Sequence, residues 1–219
     1  MKNIYAFFLF FTVSTAGYSQ NADIEILRDI NKNRNENFDP SFTFITQSVT
    51  PLSIAVPLGA ITYAVIKKDD QRIQDAVEIS SSILLSGMIS FGLKYAINRE
   101  RPFETYPSIE QVTTVNTASF PSGHTTHAFV LATSVSLVYP EWYVIVPSYL
   151  WAGAVGYSRM HLGLHYPSDV LAGALLGSGS AYLSHKINQK IKDKYGGIKL
   201  YSAMMNHNQV QITLLIPLN

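Results

Sequence analysis

Apolar stretches alternate with short polar segments along most of the chain. Five of these stretches run for about 15 to 17 residues each, over residues 52–66, 79–93, 124–138, 142–157 and 169–184. Their length and lack of strand-like alternation predict helices, so the expected fold class is an all-α helical bundle. A membrane span needs about 20 apolar residues, with a range of about 17–25. The stretches therefore fit either short membrane helices or the helices of a soluble bundle.

The N-terminus has the pattern of a secretory signal peptide. A basic start at residues 1–3 precedes 13 apolar residues, Ile4 to Ala16, and small residues follow at Gly17 and Ser19. This pattern predicts a signal peptide over residues 1–20, cleaved near its end. The alternative is an uncleaved first membrane helix. The membrane-embedded form of the bundle would have five transmembrane helices after cleavage, or six without it.

Two other segments flank the apolar stretches. Residues 23–38 are polar with apolar side chains at helical spacing, which predicts an amphipathic surface helix. The tail over residues 198–219 ends in alternating apolar and polar side chains, which is typical of a strand. A turn at Asn206–Asn208 would make this tail a small β-hairpin. The helical domain is therefore assigned to residues 21–197.

Composition limits the partners and the chemistry. Only 14% of the residues are charged and the net charge is +1. A nearly neutral chain has no overall attraction for nucleic acid, so any anion must be bound locally. The sequence contains no cysteine, which excludes disulfides, thiolate catalysis and zinc–thiolate sites.

The basic residues predict an orientation for five membrane crossings. If residue 21 lies outside, the loop with Lys67, Lys68 and Arg72 lies inside, together with the basic segment over residues 186–194. An excess of positive residues on the inner side is the usual bias of membrane proteins. This topology places every candidate catalytic residue named below at the outer face.

The first polar motif contains two cations, and the second lies at a predicted helix start. Lys94 and Arg101 are seven residues apart, which would put them on one face of a helix before Pro102 ends it. Ser122 can cap the helix that follows it. The next residue, Gly123, lets a ligand approach the backbone, and free N–H groups at a helix start bind anions.

The third motif places a cation beside a histidine and an aspartate. Arg159 is followed by His165 and Asp169, which are four residues apart across a helix start, with Pro167 near the first helical position. Asp169 can then accept a hydrogen bond from one ring nitrogen of His165. The other nitrogen would be unprotonated and nucleophilic.

Each motif alone also fits a structural role, as flanking cations, a common turn or a buried ion pair. Together they form a more specific pattern, because charges at the ends of apolar helices are costly and usually functional. The three motifs resemble the signature of the type 2 phosphatidic acid phosphatase superfamily, Lys-x6-Arg-Pro, Pro-Ser-Gly-His and Ser-Arg-x5-His-x3-Asp. All eleven specified positions are present in order, between residues 94 and 169.

The resemblance implies an all-helical phosphatase without a metal cofactor, and a role for each motif residue. His165 would attack phosphorus and form a phosphohistidine, and Asp169 would orient it. His124 would protonate the leaving oxygen and then activate water. The phosphate would be bound by the remaining residues of the motifs, Lys94, Arg101, Ser122, Gly123 and Arg159.

The expected substrate is a phosphorylated lipid at the outer face of a bacterial inner membrane. Candidates are an isoprenyl pyrophosphate, a phosphatidylglycerol phosphate and a lipid A phosphate. The alternative is a soluble secreted acid phosphatase of broad specificity from the same superfamily, which also includes the usually larger vanadium haloperoxidases. A non-enzymatic anion-binding membrane protein would need only the cations, so the nucleophile, orienting acid and proton donor argue against it.

Other polar residues lie near the motifs in sequence. Arg99 either extends the phosphate site or meets a lipid headgroup, or has neither role. His127 and His161 are expected to pack or to support the site rather than to touch substrate. The pair Asp69-Asp70 is expected to cap a loop, not to bind a metal.

Overall fold

The computed structural model describes residues 22–195, 199–201 and 213–215. Within these ranges the chain forms a 3-10 turn at Glu36–Phe38, eight α-helices and two strands. The helices are α1 (22–32), α2 (Asp39–Gln47), α3 (Val49–Lys67), α4 (Asp70–Ile97), α5 (Pro102–Thr105), α6 (Gly123–Val138), α7 (Trp142–His161) and α8 (Pro167–Tyr195). The signal peptide predicted over residues 1–20 lies outside the described residues.

Five long helices contain the five apolar stretches, so the all-α bundle is confirmed. They are α3, α4, α6, α7 and α8. Helix α8 differs from the prediction because it also includes the basic segment after Ser184. That segment contains no glycine or proline before Gly196, so nothing in it stops the helix.

Local sequence explains where α4 begins and ends. The Asp69 carboxylate accepts hydrogen bonds from the backbone N–H groups of Gln71 and Arg72, which caps the start of the helix. The sequence predicted that Asp69-Asp70 caps a loop, whereas Asp69 caps a helix. At the other end, Asn98 adopts the left-handed conformation with a φ of 44°, which turns the chain out of the helix.

Helix α6 forms the centre of the bundle, where it contacts α3, α4, α7 and α8. Its buried side chains are mostly small, including Thr125, Thr126, Ala128 and Ala132. Two glycines of α8 let the α6 backbone approach closely. A Cβ atom added at Gly177 would collide with the Thr126 carbonyl oxygen and lie 2.8 Å from the Val130 nitrogen.

The outer surface of the bundle carries many large exposed apolar side chains, which is unusual for a water-soluble protein. Leu58, Phe91, Leu150 and Leu175 lie on four different helices, and each is exposed over more than half of its surface. Two helical segments of the described chain, Glu36–Lys67 and Asp70–Thr105, are long and apolar enough to cross a membrane. Both observations support association with a membrane. The count of five or six crossings stays a prediction.

The two strands lie after the bundle. Lys199–Tyr201 pairs antiparallel with Thr213–Leu215, and Lys199 lies opposite Leu215. The turn predicted at Asn206–Asn208 lies outside the described residues, so the hairpin itself stays a prediction.

The polar motifs all meet at one end of the bundle. This end contains the C-terminus of α4, the loop over residues 98–122, the start of α6 and the loop between α7 and α8. Backbone hydrogen bonds join these segments, from Ser119 to the Arg99 carbonyl (2.8 Å) and from Ser122 to the Asp169 carbonyl (3.0 Å). Helix α1 docks there too, since Asn31 donates to the carbonyls of Glu110 and His161.

The contact between α6 and α8 can be tested with two glycines of one helix. We expect Gly177→Ala to destabilise the protein by about 1–3 kcal/mol, because the added methyl group overpacks the interface. Gly179→Ala is the matched control, since no atom lies within 4 Å of a Cβ added there. Thermal unfolding in detergent should therefore show a lower Tm for Gly177→Ala alone. Equal Tm values for the two variants would contradict this packing.

Candidate active site

Lys94 and Arg101 reach the site from different elements, which corrects the prediction that they share one helix. Helix α4 ends at Ile97, and Arg101 has an extended backbone just before α5. The two cations nevertheless come together, since they bind the carbonyl oxygens of two neighbouring residues, Thr117 and Ala118. The ammonium group of Lys94 donates to the carbonyl oxygen of Ala118 at 2.5 Å.

Backbone carbonyls hold the buried guanidinium group of Arg101. Its Nε donates to the carbonyl oxygen of Thr117 and its Nη1 to that of Leu164, each at 2.7 Å. Carbonyl groups satisfy the N–H donors without cancelling the positive charge. Arg101 can therefore keep its charge for an anion while its N–H groups remain hydrogen-bonded.

Arg159 brings a third cation to the site from the last turn of α7. It is buried, and its Nη1 donates to the hydroxyl group of Thr46 at 2.9 Å. Its Nε has no hydrogen-bond partner among the described residues. The charges of Arg159, Arg101 and Lys94 all act on His124, which lies at the start of α6. The site thus combines three cations with an imidazole.

The Pro-Ser-Gly-His motif forms the start of α6, as predicted. Ser122 occupies the N-cap position, but its hydroxyl group pairs with that of Thr125 at 2.8 Å and makes no capping bond. Gly123 opens the helix beside Lys94, whose Cε would lie 3.8 Å from an added Cβ. The positive end of the helix dipole therefore lies next to the ammonium group.

His165 lies in the loop between α7 and α8, fully buried against Asp169. Its Nδ1 is 3.5 Å from the Asp169 Oδ2, which is long for a hydrogen bond. The same oxygen accepts closer bonds from the Ser119 hydroxyl group (2.5 Å) and the Tyr166 N–H (3.0 Å). The two side chains thus face each other as predicted, while the shorter hydrogen bonds of this oxygen come from Ser119 and Tyr166. Catalytic hydrogen bonds are often long without substrate.

The surroundings of His165 favour one tautomer. Its Nε2 lies 3.3 Å from Nη1 of Arg101. Because a guanidinium group can only donate, this nitrogen must present its lone pair, and the proton then resides on Nδ1 towards Asp169. Burial lowers the pKa of His165 to about 3, so the ring is neutral at neutral pH. The lone pair of Nε2 therefore faces the cations.

Comparisons with known proteins agree with this constellation. The family model of the PAP2 superfamily matches residues 75–193, which is more than half of the chain. The chain belongs to the PAP2 superfamily. An undecaprenyl-diphosphatase of Sulfolobus acidocaldarius is 30% identical over 84% of this chain and 84% of its own length. A lipid A 4′-phosphatase of Bacteroides thetaiotaomicron is 28% identical over 77% of this chain and 81% of its own length.

A solved structure extends the agreement to the fold. The transmembrane PAP2-type phosphatidylglycerolphosphate phosphatase of Bacillus subtilis superposes with a TM-score of 0.66 at 27% identity. The match covers 84% of this chain and 95% of that protein. The relatives are named phosphatases, so this PAP2 protein is a phosphatase. The helical bundle is that of membrane-type members of the superfamily.

Arg99 of this PAP2 protein neither extends the phosphate site nor meets a lipid headgroup; it binds two carboxylates. Its guanidinium group donates to the Asp169 Oδ1 at 2.7 Å, to the Ser168 hydroxyl group at 2.8 Å and to the Asp23 Oδ2 at 2.9 Å. It therefore binds the carboxylate that faces His165, and three of its N–H donors are used in these contacts.

Among the other histidines of the PAP2 domain, His161 has a packing role, as expected. Its Nε2 lies 2.8 Å from the Asp39 Oδ1, and its ring packs against Phe42 at 4.4 Å. His127 is partly buried and faces Gly87 of α4. Sequence reasoning missed Asp23, Thr46 and Ser119 as partners of the site, since none of them lies in a recognisable motif.

Proposed function

We propose that this protein hydrolyses a phosphate or pyrophosphate ester of a membrane lipid through a phosphohistidine on His165. The observation that carries the proposal is the placement of His165 between a carboxylate and a cation. Asp169 faces Nδ1, while Nε2 points its lone pair at Arg101. A phosphoryl group bound by the cations would meet the nucleophilic nitrogen directly.

In the first step, Nε2 of His165 forms a bond to phosphorus as the ester P–O bond breaks. A bound phosphate offsets the charge of the three cations, so that His124 can carry a proton and give it to the leaving oxygen. Asp169 stabilises the positive imidazole of His165. In the second step, water attacks phosphorus and gives a proton to His124 as the N–P bond breaks. Inorganic phosphate then leaves, and His165 is neutral again.

The phosphoryl oxygens would be bound by groups that need no metal ion. We assign this role to Lys94, Arg101, Arg159, the Ser122 hydroxyl group and the Gly123 N–H. Phosphoryl transfer depends mainly on positioning and on stabilising negative charge. The three cations supply the stabilising positive charge at one place. Two of them, Lys94 and Arg101, are held by backbone carbonyl groups.

The apolar exterior supports a lipid substrate and a membrane location. The site lies at the end of the bundle opposite the basic turns of α8. If those turns lie inside, the site faces the periplasm of a bacterial inner membrane. Aromatic side chains are exposed towards both ends of α7, with Trp142 at one end and Tyr157 at the other. This placement is typical of membrane interfaces.

The role of His165 is tested by its removal. We expect His165→Ala to abolish phosphate release while the protein still folds, because no other side chain of the motifs faces both a carboxylate and the cations. Acid-labile phosphate should be trapped on the wild-type protein and not on this variant. Substantial turnover by His165→Ala would contradict the mechanism.

The role of His124 is tested by varying the leaving group. We expect His124→Ala to reduce kcat by on the order of 10²–10⁴ for an alkyl phosphate, as for a lost general acid. The loss should be smaller for p-nitrophenyl phosphate, whose leaving group needs no protonation. Equal losses for both substrates would mean that His124 only binds phosphate.

The substrate and the absence of a metal requirement can be tested in one assay. Phosphate release should be measured for lipid A, undecaprenyl diphosphate and phosphatidylglycerol phosphate, with and without excess EDTA. We expect one of these lipids to exceed p-nitrophenyl phosphate in kcat/KM, and activity to survive EDTA. Vanadate should inhibit by mimicking the five-coordinate transition state. Loss of activity with EDTA, restored by a divalent metal, would contradict the assignment of the cations.

The orientation is tested with single cysteines, which are unique labels because the chain has none. Ser108 lies in the loop at the site end, and Lys190 lies in the last turns of α8; both are exposed. We expect a membrane-impermeant thiol reagent to label Ser108→Cys and not Lys190→Cys in intact cells with a permeabilised outer membrane. The reverse pattern would place the site in the cytoplasm.

A further inference from the structure

We propose that Asp23 of helix α1 is a positioning residue for catalysis. It would hold Arg99 against the Asp169 carboxylate and offset the positive charge of Arg99. The inference rests on the proposed function of His165 as nucleophile. Neither Asp23 nor Arg99 is among the residues assigned above to phosphate binding. The two residues would act only through Asp169, and they would make helix α1 part of the catalytic apparatus.

The first observation is the geometry of the bridge. Arg99 uses Nη1 for Asp169 (2.7 Å) and Nη2 for Asp23 (2.9 Å), so one rigid guanidinium plane joins two carboxylates. The plane is further held by the ring of Tyr166, whose centroid lies 3.8 Å from the Arg99 Cζ. Rotation of Arg99 would break these contacts together, so the bridge fixes the direction of the Asp169 carboxylate.

The second observation is that Asp23 also binds the helix that carries Asp169. Its Oδ1 accepts the Ser168 N–H at 2.8 Å, and its Oδ2 accepts the Ser168 hydroxyl group. Asp23 is itself buried, and Leu27 anchors α1 in a cluster with Ile109 and Tyr166. Asp23 therefore ties the first turn of α8 to a docked helix.

The third argument concerns charge. Arg99 alone would neutralise Asp169, whereas Asp23, Arg99 and Asp169 together carry a formal charge of −1. The imidazole of His165 becomes positive when Nε2 bonds to phosphorus. A remaining negative charge beside Nδ1 stabilises that developing cation in surroundings of low dielectric. Loss of the Asp23 charge should thus slow the chemical step and leave phosphate binding unaffected.

The test compares two changes of the same chemistry on α1. Asp23→Asn and Glu25→Gln each replace one carboxylate by an amide, and Glu25 is exposed. With p-nitrophenyl phosphate, we expect Asp23→Asn to lower kcat by about tenfold, as for other supporting residues of a site. KM and the Tm should stay near wild-type values. Glu25→Gln should leave all three unchanged.

A double-mutant cycle shows whether Asp23 acts through Arg99. We expect Arg99→Lys, which removes the planar fork but keeps the charge, to lower kcat by at least as much as Asp23→Asn. The double variant should be no slower than Arg99→Lys alone. The inference would be overturned if the two losses in kcat multiplied in the double variant. It would also be overturned if a lower Tm of Asp23→Asn accounted for its lost activity.

Different results would contradict the proposed function and the role of Asp23. An active His165→Ala variant would overturn the nucleophile assignment and this inference with it. An inactive His165→Ala variant beside an Asp23→Asn variant with wild-type kcat would overturn the inference alone.

Discussion

Burial of positive charge at the end of an apolar bundle is the constraint on which the site depends. A cation taken out of water is costly unless its donors are bonded. Arg101 and Lys94 donate hydrogen bonds to the carbonyl oxygens of Thr117, Ala118 and Leu164. Because these partners are neutral, the positive charge is not cancelled, and a phosphate can neutralise it. The loops that carry these carbonyls therefore help to hold the cations in place.

The same constraint separates the charges of the site into two groups. The charged side-chain groups of Lys94, Arg101 and Arg159 have no carboxylate among their hydrogen-bond partners in the described chain. The carboxylates of Asp169 and Asp23 share Arg99 instead. His165 lies between the two groups with one nitrogen towards each. This arrangement gives the buried ring its tautomer and turns the lone pair of Nε2 towards the cations.

The bundle brings the site together by close helix packing rather than by a large apolar core. Helix α6 packs through small side chains, and Gly173 and Gly177 of α8 bring the backbones into contact. Many larger apolar side chains, such as Leu58, Phe91, Leu150 and Leu175, point outwards. Such a distribution suits a lipid surrounding, where burying large side chains gains little and close backbone contact stabilises helix pairs. The start of α6 and the start of α8 then meet where Ser122 bonds to Asp169.

The sequence by itself determined the helices, the three motifs and the family, because helical periodicity, end caps and motif spacing are local properties. It placed Lys94 and Arg101 on one helix, which was wrong because Asn98 ends α4 between them. Only the tertiary structure decided which groups support the site. Thr46 meets Arg159 across 113 positions, and Asp23 meets Ser168 across 145. Contacts between single polar residues so far apart leave no periodic signal in one sequence, since they arise only when the helices pack.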